Sequence, residues 1–376
     1  MENFNIPNCK NFTGYKPCFP GSTCYMDGCK NENPFGTKIL FINLDAMGDV
    51  IMSTSYMPAI KRKYPVSTIW WVTLKISAPL LENNPYIDKV LPYDFETISI
   101  LQNMEFDVLL NVDKSLRSGA LANMVKAKEK YGFGINNNGQ IVPLNPSAEY
   151  NYRLGLDDNL KFKVNTVKRY QYNRQTFELD DICDEYVFNF TDDELKYIDE
   201  YKKKIGITSQ DKIIMFNTGC SNLYPNKKMT IEQHIDLIER FLKYNKYKIG
   251  LAGGPEDTER NNYLKNYFGD KIFSTPTTDG VRRGACYLSL ADVVITGDSF
   301  GMHLSIALKK YIIAWFGLSC WSEIELYGRG IKLYPEGLSC APCWKKACPF
   351  NLECIKMIDL DRIEKETVNY LEKLKK

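Results

Sequence analysis

The sequence predicts an α/β protein built of two parallel-sheet domains that face each other across a cleft. Short apolar runs suited to strands buried on both faces alternate with helical stretches, first over residues 38–111 and again over 212–316; this alternation marks parallel βαβ units. At 376 residues the chain is long enough for two such domains, each with its own core. A charged helix over 192–205 separates the runs and has few apolar residues to join a core, so the domain boundary is placed within it.

Taken in order, residues 1–35 hold Cys9, Cys18, Cys24 and Cys29 among Gly, Pro, Asn and aromatic residues, with neither a helical nor an alternating period. Such an extension buries too little apolar area to order itself and needs a metal, disulfides or docking onto the main body. The first domain, 36–195, opens on the apolar run 39–42. The polar stretch 43–49 and a helix to about Arg62 follow, and Pro65 stops that helix. Further strands are predicted over 68–72, 89–91 and 107–111, with helical stretches between and after them. Residues 136–186, rich in Asn, Tyr, Lys and Asp, read as loops and short helices around a cleft. Thr191-Asp-Asp-Glu194 is a capping box that starts the charged helix.

The second domain, 205–336, begins with a strand over 212–216, a polar loop over 217–229, a helix over 230–245 and a strand over 247–251. The next helix carries Asp257 and Glu259 in its first turn, where carboxylates suit the dipole. A strand over 292–296 then runs into the turn Gly297-Asp298-Ser299-Phe300-Gly301. His303 opens an apolar helix, and another strand follows over 311–316. In such a unit the turn lies at the carboxyl edge of the sheet, where free helix-start N–H groups receive anions. Residues 337–376 form a cysteine-rich loop, with Cys340, Cys343, Cys348 and Cys354, and a terminal amphipathic helix.

Composition narrows the function. Hydrophobic and aromatic contents of 44% and 13% are those of a globular protein. A net charge of +2 disfavours nucleic acid as a partner, and Lys61-Arg62-Lys63 reads as a solvated helix face. No apolar run approaches the roughly 18–20 residues needed to span a bilayer, and the start, MENFNIPNCKNF, lacks a secretory apolar segment. A cytoplasmic protein is expected, with peripheral membrane contact left open. Eight of the twelve cysteines sit in the two terminal clusters, and in that compartment clustering favours metal ligation over disulfides.

Several residues suggest chemistry. Asp49 follows a Gly in a strand-to-helix turn, where it is either an N-cap carboxylate or a general base at the cleft. The loop 217–229 places Thr218, backbone amides, Lys227 and Lys228 at the carboxyl end of a strand, a set suited to a diphosphate. Asp298 and His303 face it from the later turn; a helix cap and a structural hydrogen bonder are their bland alternatives. Neither a G-x-G-x-x-G fingerprint nor a P-loop occurs, which demotes a nicotinamide oxidoreductase or a kinase.

Two α/β domains with a closing helix are the outline of the GT-B fold, whose two domains are Rossmann-like. The stretches KILFINLDAMGDVIMSTSYMPAIKRKYP, NTG…NKKMT, LAGGPEDTE and ADVVITGDSFGMHLSIALKKYIIAWFG resemble glycosyltransferase family 9, the ADP-heptose lipopolysaccharide heptosyltransferases. The tail CAPCWKKACPFNLECIKMI resembles a cysteine-rich ending found in a subset of that family. The resemblance implies an inverting transferase with no metal in catalysis. It makes Asp49 the base that activates the acceptor hydroxyl, and Lys227 and Thr218 contacts to the donor phosphates. Asp298, Ser299, Gly301 and His303 would hold the donor, and Glu256 or Asp257 would take the acidic position near its ribose. Arg117 would face the acceptor, with Lys75 a second basic candidate there. Three positions depart from the family pattern: Phe300 stands where Gly is usual, with Gly301 displaced by one; Lys227-Lys-Met-Thr230 replaces lysine-x-Trp-Pro; and Asp113-Lys114 replaces Gln-Gly.

Cys340-x₂-Cys343-x₄-Cys348-x₅-Cys354 is compact and contains a C-x-x-C pair, so a structural zinc or iron site is predicted there. Cys9, Cys18, Cys24 and Cys29 lack such a pair and are the weaker set; free thiols are the alternative for both. The expected function is transfer of heptose or a related sugar from an ADP-sugar donor to a hydroxyl of a saccharide, glycan or protein. A non-catalytic, metal-stabilised nucleotide-sugar binding or scaffolding protein is the alternative.

Overall fold

Two six-stranded sheets organise the chain in a computed structural model, which describes residues 5–29 and 31–375. The first holds β1 (Thr37–Ile42), β2 (Ser67–Thr73), β3 (Lys89–Pro92), β4 (Glu105–Asn111), β5 (Lys126–Ile135) and β6 (Ile141–Pro143) in the order β3-β2-β1-β4-β5-β6. The second holds β7 (Lys212–Asn217), β8 (Tyr247–Ala252), β9 (Phe273–Ser274), β10 (Val293–Gly297), β11 (Tyr311–Trp315) and β12 (Gly330–Leu333) in the order β12-β11-β10-β7-β8-β9. The paired strands run parallel except for the β5–β6 hairpin. This is the GT-B architecture. In each sheet the order reverses beside a central strand, between β1 and β4 and between β7 and β10, and such switch points open a crevice at the carboxyl ends.

The central strands are buried on both faces, as their apolar runs require. Ile39, Phe41, Ile69 and Trp71 pack on one side of the first sheet, and Leu40, Ile42, Val72 and Leu109 on the other. The second sheet is sandwiched in the same way, with Ile214, Phe216, Ile249 and Ile295 on one face and Ile213, Met215 and Val294 on the other. A further apolar cluster joins the halves. Ile51 and Met52, from the helix Met47–Ser53, meet Met302 and Ile306, from the helix Phe300–Ala307, together with Leu80, Tyr186 and Phe316. The two helices that leave the switch points are therefore packed against one another.

Four details differ from expectation. Residues 126–135 form β5 rather than helix; its charged first half is mostly exposed, and only Gly132, Phe133 and Gly134 are buried, so no strand period shows in the sequence. The short edge strands β9 and β12 carry too few apolar residues to stand out. The charged helix Asp192–Lys204 buries Ile198 and Tyr201 against the second sheet. The site helix starts at Phe300, not His303, because Ser299 is its N-cap.

The amino-terminal extension docks on the opposite edge of the first sheet from the crevice. Lys10 pairs with Asp88 at 2.7 Å, and the Thr68 hydroxyl donates to the Phe35 carbonyl at 2.5 Å. Among the described residues no helix is long and apolar enough to cross a membrane.

Candidate active site

The turn after β1 is shaped by a buried carboxylate. Asp113 accepts from the Leu44 N–H at 2.5 Å and from Asn43 Nδ2 at 2.6 Å. Burial pushes its carboxyl up to about 7; the Leu44 N–H opposes that rise, and the negative charges of Asp49 and Asp45 add to it. From this turn the helix Met47–Ser53 carries Asp49 as its third residue, with Oδ2 accepting from the Ala46 N–H at 3.4 Å. Asp49 thus satisfies an N–H at the helix start with one oxygen, and its second oxygen is turned to the crevice. There Oδ1 lies 2.7 Å from Nη1 of Arg169, the first residue of the helix Arg169–Thr176. Burial would lower the guanidinium pKa, but Asp49, Tyr172 and Glu323 outweigh it and hold Arg169 firmly charged.

The facing half grows from β10 and β7. Ser299 caps the helix Phe300–Ala307 by accepting from the Met302 N–H at 3.4 Å, and its hydroxyl also accepts from Asn217 Nδ2 at 2.9 Å. A Cβ at Gly301 would lie 2.4 Å from Asn217 Oδ1, so this position has room only for glycine. Phe300, the residue that departs from the family pattern, packs against apolar clusters on both sides. Asp298 Oδ2 accepts from Lys227 Nζ at 2.7 Å, and Oδ1 stands 4.0 Å from His303 Nε2. Burial alone would raise the Asp298 carboxyl; Lys227 and His303 outweigh it and hold the group below its ordinary value. Burial pushes His303 down against the opposing pull of Asp298 and Asp49, and its Nδ1 lies 3.3 Å from the Tyr186 hydroxyl.

The halves approach most tightly beside the site: a Cβ added to Gly48 would sit 2.8 Å from His303 Cδ2. Asp49 and the Lys227–Asp298–His303 group therefore share one crevice. Arg117 stands on the first-domain side, paired with Asp45 at 2.8 Å. Lys75 is exposed in the turn after β2.

Thr218 and Asp257 lie deeper than the sequence suggests. The Thr218 hydroxyl, fully buried, donates to Asn261 Oδ1 at 2.5 Å. Asp257 accepts from the Gly254 N–H at 3.0 Å and pairs with Lys228 at 3.3 Å. Both brace the floor of the pocket, whereas Glu256 is exposed and accepts from the Asn222 N–H at 2.7 Å.

Three further cleft residues escaped sequence reasoning. Arg169 lies in the irregular stretch, with no period to flag it. Lys114 was seen only as a departure from pattern; its ammonium donates to the Asn151 carbonyl, and burial, then repulsion from Lys161 and Arg169, pushes it down to about 7. Glu323 is buried, with one carboxylate oxygen lacking a hydrogen-bond partner, and its charge is felt at Arg169 and Lys114.

All twelve cysteines stand as thiols, and among the described residues no group of three or more His, Cys, Asp and Glu is disposed to ligate a metal. The four carboxy-terminal thiols are nonetheless neighbours. Burial pushes Cys354 up to about 11, and the charges of Cys343, Cys348 and Cys340 add to that rise.

The family model for glycosyltransferase family 9 (heptosyltransferase) matches residues 96–353. The chain belongs to glycosyltransferase family 9. This family 9 chain is 24% identical over 302 residues, 74% of its length and 84% of the relative's, to lipopolysaccharide heptosyltransferase 1 of Campylobacter coli. Its fold is similar to that of the glycosyl transferase family 9 protein of Veillonella parvula DSM 2008, with a TM-score of 0.70, 20% identity, and 90% and 98% of the two chains covered. The dodecameric iron-containing heptosyltransferase TibC, solved in complex with ADP-D-beta-D-heptose, is similar at a TM-score of 0.55 and 11% identity, over 90% of this chain and 77% of that one. The family 9 chain is accordingly a glycosyltransferase, which removes the scaffolding alternative.

Proposed function

We propose that the protein is an inverting transferase that moves heptose from an ADP-heptose donor to a hydroxyl of a saccharide acceptor, with Asp49 as general base. The observation that carries this reading is the contact of Gly48 with His303, which sets the Asp49 carboxylate and the Lys227–Asp298–His303 group on two sides of one crevice. In the reaction Asp49 takes the proton of the acceptor hydroxyl as its oxygen bonds to the anomeric carbon. The bond from that carbon to the diphosphate breaks on the opposite face, and ADP leaves with the electron pair. Lys227 and the helix-start N–H groups behind Ser299 stabilise the charge that develops there. Arg169 keeps Asp49 aimed before the acceptor arrives.

In this reading residues 36–195 bind the acceptor, with Arg117 and Lys75 on that side, and residues 205–336 bind the donor. Glu256, exposed beside the pocket, is better placed than the buried Asp257 to meet a ribose hydroxyl. The likeness to lipopolysaccharide heptosyltransferase 1 favours a saccharide acceptor, while a protein hydroxyl is a further candidate. No cofactor takes part in the transfer step. Cys340, Cys343, Cys348 and Cys354 would hold a structural zinc or iron; an all-thiol set suits such a cation, which would also relieve the mutual repulsion of the thiolates. Incubation with ADP-heptose and a panel of saccharide and protein acceptors, read by mass spectrometry, tests the reading. A heptose mass increment lost in Asp49→Asn supports it, and full turnover by that variant removes Asp49 from the mechanism.

A further inference from the structure

The carboxy-terminal cysteine loop is packed on the donor side of the crevice, and Trp344 is its point of contact. Lys227 Nζ lies 4.4 Å from the centre of the Trp344 ring system. Tyr224, from the same loop as Lys227, meets that ring edge-on at 5.2 Å and 80°. Trp344 has φ near +50°, a left-handed conformation that a bulky side chain seldom adopts and that persists only where its surroundings over-determine it. Those surroundings are present: the Cys343 and Trp344 N–H groups both donate to the Leu318 carbonyl, at 2.9 and 3.0 Å. Asn226 Nδ2 donates to the Lys346 carbonyl at 3.0 Å. From the first half of the chain, Lys163 Nζ donates to the carbonyls of Ser339 and Ala341, at 2.9 and 3.2 Å.

Lys227 is therefore held between two attractors of different kinds. The Asp298 carboxylate, at 2.7 Å, competes for the same charge and the same N–H donors that a diphosphate would need. The indole face attracts the ammonium without taking a strong hydrogen bond, so it fixes the position of the charge and leaves donors free for an anion. We propose that Trp344 is a positioning residue that sets Lys227 for the donor diphosphate, making the cysteine loop the roof of the donor pocket. This rests on the reading of Lys227 as a phosphate contact.

The test is calorimetric titration of ADP into the full-length protein, for wild type, Lys227→Ala, Trp344→Leu, Trp344→Phe and the double variant Lys227→Ala/Trp344→Leu. Leucine keeps apolar bulk but has no π face, and thermal unfolding checks that each variant is folded. Trp344→Leu is expected to weaken ADP binding roughly three- to thirty-fold, with Trp344→Phe retaining most of the affinity. The double variant should be no weaker than Lys227→Ala alone, as expected when one residue acts through the other. Affinity within two-fold of wild type for a folded Trp344→Leu, or additive losses in the double variant, overturns the role of Trp344 while leaving Lys227 in place. Unchanged ADP affinity in Lys227→Ala instead sinks the donor reading beneath it.

Discussion

The guanidinium of Arg169 stands 2.7 Å from the carboxylate of Asp49, each side chain about a third exposed to the crevice. Cation and carboxylate arrive from different helices, so the pair is made by the fold and not by local sequence. Removing the cation in Arg169→Ala should lower kcat by about 10²-fold through lost orientation, with partial recovery in Arg169→Lys. A wild-type kcat in Arg169→Ala would make the pair a surface bridge of no catalytic consequence.

Gly48→Ala tests how closely the halves must approach. Its new Cβ would meet the His303 ring at 2.8 Å, and overpacking of that kind costs about 1–3 kcal/mol. A melting point lowered accordingly, together with reduced kcat, is the expected outcome. Wild-type turnover by the alanine variant would mean that the contact can open without penalty.

Asp113 gives a pH signature. Its folded value of about 7 lies above the ordinary 3.8, so the native state holds its proton more tightly than the unfolded chain does. Its contribution to stability is fully present below about pH 4 and is lost as pH rises through about 7. Asp113→Asn should therefore gain progressively on wild type in thermal unfolding as pH rises from about 4 to about 7. Parallel curves for the two proteins would exclude this titration.

Metal analysis of the purified protein addresses the thiols. About one zinc or iron per chain is expected at Cys340, Cys343, Cys348 and Cys354. Paired Cys340→Ser and Cys343→Ser changes should abolish that content and lower the melting point, whereas Cys9→Ser and Cys24→Ser should leave the content unchanged. Metal-free protein of undiminished stability would leave both clusters as free thiols.

Much of the architecture was legible because central strands must be apolar on both faces; 39–42, 212–216 and 292–296 could hardly be anything else. The turns after those strands were legible for a related reason, since Asp298 follows its strand directly and Asp49 stands in the first turn of the helix after β1. Arg169, Glu323 and Trp344 were not, because each reaches the crevice through a long-range contact that leaves no spacing in the sequence. The burial of Thr218 and Asp257 was not legible either: their polar atoms are engaged by Asn261, Gly254 and Lys228, which lie far off or carry no signal of that pairing. The start of the site helix was misplaced by the same local blindness, because a serine cap at 299 outweighs the apolar period that made His303 look like the first residue.

The position of β12 at the margin of its sheet has a consequence for how this enzyme can change. Asp49 and Asp298 hang from β1 and β10, strands laddered on both sides, and altering their length or register would disturb two neighbours at once. The segment bearing Trp344 leaves β12, which is laddered to β11 alone. It can be lengthened, shortened or exchanged at little cost to the ladder, so the two aspartates are anchored at the centres of their sheets while the proposed roof hangs from a margin.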